Sequence, residues 1–74
     1  MAKQLKNQDL LNKIVLKIKE IRASKGLSQE QVYNDTNINM GRLESEKVNI
    51  SISTLNTLCT YFDISLSDFF KDIE

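Results

Sequence analysis

Apolar residues return along this chain at the spacing of a helix in nearly every segment. From Asp9 to Lys25, the residues Leu11, Ile14, Val15, Ile18 and Ile21 recur three and four apart, drawing one buried stripe along a first helix. Gly26 then supplies the left-handed residue on which a helix stops. Beyond it one local grammar appears four times, each time as an apolar residue, a capping residue and a second apolar residue four further on. The instances are Leu27-Ser28 with Val32, Ile38-Asn39 with Leu43, Ile50-Ser51 with Leu55, and Ile64-Ser65 with Phe69. A Ser or Asn side chain can satisfy an amide left open in the first turn, while the two apolar residues staple the incoming chain against the helix. Each instance therefore predicts a helix start.

The predicted second helix opens at Gln29, with Gln31 completing a capping box on Ser28, and runs out near Asn37, a residue that tolerates the left-handed conformation. Asn39 caps a third helix opening at Met40. The turn between them is about three residues, the helix-turn-helix spacing. The alternation in 48–54 would read as a strand on period alone, but a lone strand has no partner in this chain, and the cap at Ser51 argues for a fourth helix instead. That helix carries Leu55, Leu58, Cys59 and Phe62 on one face. The fifth carries Leu66 and Phe69, with Phe70 and Ile73 less firmly placed, because adjacent helical residues point about 100° apart and Phe69 and Phe70 cannot share one groove. The prediction is all-α, a compact bundle of five short helices over 9–74 behind a frayed polar arm, 1–8.

Seventy-four residues make one domain, near the size at which a hydrophobic core alone is barely sufficient, so association would help it. One cysteine and no histidine exclude an intrachain disulfide, the usual zinc sites and a His-based triad. Cys59 lies on the apolar stripe and reads as a small core residue. We expect no enzyme, no cofactor, no metal and no small-molecule substrate. No apolar run approaches a membrane span, and the expected location is the cytoplasm. The net charge is zero, but it is polarised: residues 1–27 hold seven basic against two acidic residues, and residues 28–74 hold three against eight. Local field therefore matters more than the total.

Several pieces in order, Ile21-Arg22, Lys25-Gly-Leu-Ser-Gln29, Arg42-Leu-Glu44, 49–55 and 62–70, resemble the phage-repressor (Cro/C1-type) helix-turn-helix domains, which are DNA-binding transcription regulators. The resemblance spans roughly 14–70. It implies a lambda-repressor-like fold, double-stranded DNA as partner and a homodimer on two half-sites. It assigns DNA contact to Gln29, Asn39, Met40, Gly41, Arg42 and Lys47. Gln29 would hold a phosphate; Arg42 would bond guanine at two points; Asn39 would cap its helix or address adenine; Met40 would meet a thymine methyl; Gly41 would permit close approach. The bland alternatives are a solvated Gln29 and an Arg42 paired with Glu46 one turn on. The resemblance also implies a structural ion pair between Arg22 and Glu44. The dimer interface is expected at the C-terminal edge, on Phe70 and Ile73.

The sequence departs from the family pattern in three places. The stretch before Glu44 is three residues short, so the recognition helix should be stubby. Tyr33 replaces the small residue at the crossing of the second and third helices, where it is expected to fill the vacated volume, and Glu46 replaces a glycine. Zero net charge, with Glu44 and Glu46 near the reading head, favours a rival reading: a protein-interaction module, an antitoxin or regulatory adaptor, on the same fold without DNA binding.

Overall fold

A computed structural model of the protein describes residues 8–46, 50–71 and 73, the side chain of Glu46 excepted. Five helices follow in order: α1 (Gln8–Ser24), α2 (Gln29–Thr36), α3 (Met40–Glu46), α4 (Ile52–Tyr61) and α5 (Leu66–Phe70). Among the described residues there is no strand. The alternation before Thr54 resolves as Ser51 in extended conformation followed at once by α4. Helix α1 begins at Gln8, one residue before the expected Asp9, and the rest of the predicted arm lies outside the described residues.

The four predicted N-caps form, without the returning Gln31 side-chain bond that would complete the capping box at Ser28. The hydroxyls of Ser28, Ser51 and Ser65 accept from the amides of Gln31, Thr54 and Asp68 at 3.0, 3.0 and 3.1 Å, and Asn39 Oδ1 accepts from the Arg42 amide at 3.0 Å. The stapling residues Leu27, Ile38, Ile50 and Ile64 all pack against the core that holds Val32, Leu43, Leu55 and Phe69.

Left-handed residues stop three helices: Gly26 (φ 68°), Asn37 (φ 64°) and Asp63 (φ 62°). The helix ends at Gly26 and Asp63 close with the same pair of bonds, the first from Gly26 N–H to Ala23 O at 3.0 Å and from Asp63 N–H to Thr60 O at 3.1 Å. Leu27 N–H reaches Arg22 O at 3.1 Å and Ile64 N–H reaches Cys59 O at 2.9 Å, which satisfies carbonyls that the helix end leaves open. In all three connectors the left-handed residue is followed by an apolar residue and then by the next cap. Stop, staple and start are thus compressed into three residues.

The core takes Leu11, Ile14, Val15 and Ile18 from α1, Val32 from α2, Met40 and Leu43 from α3, Leu55, Leu58 and Cys59 from α4, then Phe62, Phe69 and Ile73. Burying each of the larger side chains contributes about 1.5 to 3 kcal/mol. Cys59 is buried as expected, and that burial raises its thiol pKa above the usual range. Ile21, expected on the buried stripe, is only partly covered. Ile73, expected at a dimer edge, is 6% exposed and packs into its own core, which leaves little of its side chain for such an edge. Phe70 packs edge-on against Phe69, ring centroids 5.2 Å apart, and keeps only part of its surface. Among the described residues, the large apolar side chains that do face solvent are Leu16, Tyr33 and Ile52.

Candidate nucleic-acid interface

Helices α2 and α3 meet at the turn formed by residues 37–39. Thr36 stitches it, its hydroxyl donating to Val32 O at 2.7 Å and accepting from the Ile38 amide at 3.2 Å. With Asn37 left-handed before it and Asn39 capping after it, the angle between the two helices is fixed by local hydrogen bonds rather than by a long loop.

The inward stripe of α3 follows from helical spacing. Met40, Leu43 and Glu44 stand three and four apart and share a face. Met40 and Leu43 enter the core. Glu44 enters a polar junction, where Arg22 Nε donates to its Oε2 at 2.8 Å and Arg22 Nη2 to its Oε1 at 3.2 Å. Arg22 Nη1 also donates to Leu27 O at 2.7 Å. The side chains of the pair are 14% and 5% exposed, so two desolvated charges are compensated by each other and by neighbouring polar groups. Gln29 Nε2 joins them, donating to Glu44 Oε1 at 2.9 Å. One carboxylate thereby ties together the end of α1, the start of α2 and the middle of α3.

This geometry sorts the residues to which the sequence reading gives DNA contact. Arg42 and Ser45 lie exposed on the outward side of α3, and Gly41 is half-covered. Asn39 is exposed, and its carboxamide oxygen serves as the cap of α3. Gln29 is exposed too, but its amide nitrogen is committed to Glu44, which the sequence reading does not foresee. Met40 corrects that reading. It has no exposed surface, because the first helical residue of α3 turns into the bundle along with Leu43, and it cannot reach a base edge. Lys47 lies outside the described residues, as does the side chain of Glu46, the alternative partner for Arg42.

Tyr33 gives a further correction. It does not fill the volume left by a short α3; it is 47% exposed and lines an open hollow in the elbow together with Gln29, Glu30, Asn39 and Gly41, with Met40 beneath. Gly41 is not demanded by packing. A Cβ there would stand 3.4 Å from Gln29 Oε1 and 3.6 Å from Asn39 Oδ1, ordinary contact distances.

On the far side of the elbow, Tyr61 Oη donates to Asp35 Oδ2 at 2.5 Å and binds α4 to α2. That hydrogen bond, with a smaller contribution from burial and from the charge of Asp35, raises the phenol pKa. Nothing local in the sequence pairs two residues 26 apart.

The family model that matches this chain is the Cro/C1-type HTH DNA-binding domain, over residues 17–74. No curated protein and no solved structure matches it.

Proposed function

Because the chain belongs to the Cro/C1-type helix-turn-helix DNA-binding family, we propose that it is a sequence-specific transcription regulator that lays α3 in the major groove. The observation that carries this reading is the division of α3 into two faces. Glu44 is held on one side by Arg22 and Gln29, and Arg42 stands exposed on the other. A reading helix needs that division, since a guanidinium can bond guanine O6 and N7 in parallel only if the backbone beneath it is held rigidly.

Arg42 specifies a guanine. Asn39 and Gly41 flank it at the groove, and Gln29 lies toward the backbone, where its remaining hydrogen-bonding capacity positions a phosphate. Lys47 adds a phosphate contact. A seven-residue recognition helix touches few base pairs, so two copies bind two half-sites about one helical turn apart. The place of action is the cytoplasm, where such a regulator meets its operator; no described helix is long and apolar enough to cross a membrane.

The rival reading, a protein-interaction module on this fold, is favoured by the zero net charge and by Glu30 beside the elbow hollow. Mobility shift on genomic fragments at two salt concentrations separates the two. A DNA reader loses affinity steeply with salt because bound phosphates release counterions. An interaction module shows no salt-sensitive, sequence-selective shift.

A further inference from the structure

Helix α3 offers little outward surface. Of its first six residues, Met40 and Leu43 are buried and Glu44 is tied to Arg22, which leaves Gly41, Arg42 and Ser45. Directly beside this meagre face stands the half-exposed ring of Tyr33, one turn along α2 from Gln29 and bordering the hollow that Asn39 and Gly41 share. The core does not use this ring.

The hollow is mostly apolar, and Glu30 stands on its rim. A carboxylate there opposes a phosphate, which leaves base edges as the element of DNA that fits. Among groups that base pairs present in the major groove, the apolar protrusion is the C5 methyl of thymine. We infer that Tyr33 extends the reading surface from α3 onto α2, its ring and the Gly41 backbone receiving a thymine methyl in the elbow hollow, so that Tyr33 is a specificity-determining residue. This rests on the reading of the chain as a DNA-binding regulator. It also gives Gly41 a purpose that packing does not, because a side chain at that position would narrow the hollow.

The test begins with a duplex selected by the full chain from a random library, in which each thymine is replaced in turn by deoxyuridine, which lacks only the methyl. Affinities are measured by fluorescence anisotropy for wild type, Tyr33→Ala, Tyr33→Gln and Tyr33→Phe, with thermal melts confirming that each variant is folded. For wild type, one thymine per half-site should show a loss of about fourfold on replacement, the worth of burying a methyl-sized group. In Tyr33→Ala and Tyr33→Gln that loss should vanish while every other position keeps its wild-type value. Tyr33→Phe, which retains the ring, should keep it. An unchanged replacement profile in both ring-deleted variants would overturn the inference while leaving DNA reading intact, as would a wild-type profile with no sensitive thymine. A wild type that selects no sequence at all would overturn the underlying reading as well.

Discussion

The guanidinium of Arg22 holds the carboxylate of Glu44 at two points, 2.8 and 3.2 Å, across 22 residues of sequence. Truncating either partner strands the other in a site that is 14% or 5% exposed. For complete burial such a loss costs about 3 to 5 kcal/mol, and the residual exposure of Arg22 brings the expectation for Arg22→Ala to roughly 2 to 4 kcal/mol. Glu44→Ala should cost a similar amount, because it also releases Gln29. The double variant should cost less than the two singles together, as for groups in direct contact. Urea denaturation of all four proteins gives the coupling. Strict additivity would mean that the pair does not hold α3 in place.

Gly41→Ala should stabilise the fold slightly, by about 0.5 kcal/mol, since alanine is the better helix former and its methyl meets atoms only at ordinary contact distances. DNA affinity should fall at the same time if this face approaches the groove. Thermal melts and binding on the same preparation check both. A variant that gains stability and binds as well as wild type would remove Gly41 from the interface.

Asp63 holds a left-handed conformation at φ 62° without being glycine. Replacing it by glycine relieves that strain, at the expense of a more flexible unfolded chain, and the net gain should be roughly 0.5 to 1 kcal/mol. The midpoint of chemical denaturation should rise without a change in slope.

Alkaline pH should weaken the fold through two groups. Burial raises the Cys59 thiol pKa, and the hydrogen bond to Asp35, followed by burial and the charge of Asp35, raises that of the Tyr61 phenol. Both groups hold their protons more tightly folded than unfolded. The folded state therefore binds more protons as the pH climbs past their unfolded values, and stability declines above about pH 9. Each contribution is complete below the unfolded pKa and is lost as the pH passes the folded one. Melting profiles of wild type and Tyr61→Phe from pH 7 to 11 isolate the phenol: the variant should begin lower and decline less. Parallel curves would mean that the Asp35 bond does not distinguish the protonation states.

The helix starts and most stops were legible because their determinants lie within five residues of one another. Ser28, Asn39, Ser51 and Ser65 declare themselves by their immediate neighbours, and Gly26 and Asn37 by their tolerance of positive φ. Asp63 did not, since aspartate at a helix end reads as an ordinary solvated acid until the chain is seen to turn there. Exposure was harder to read. Met40 and Ile73 occupy positions whose burial is set by how α3 and the C-terminal turn meet the rest of the bundle, and Tyr33 stands half-exposed at an elbow hollow that Met40 also lines. The Arg22–Glu44 pair was legible through family resemblance, whereas the third member of the junction, Gln29, required the geometry of the crossing.

The most direct test of a two-faced α3 is the sequence preference of Arg42→Ala, obtained by selection from a random library beside wild type, with melting measured on the same proteins. Arg42 is exposed, so the variant should keep its stability within about 0.5 kcal/mol. It should also lose preference for a guanine at one position per half-site, weakening the cognate complex by roughly 1 to 3 kcal/mol while other positions hold. A variant that melts well below wild type yet selects the same sequence would contradict the account, because Arg42 would then be scaffold and the reading face would lie elsewhere.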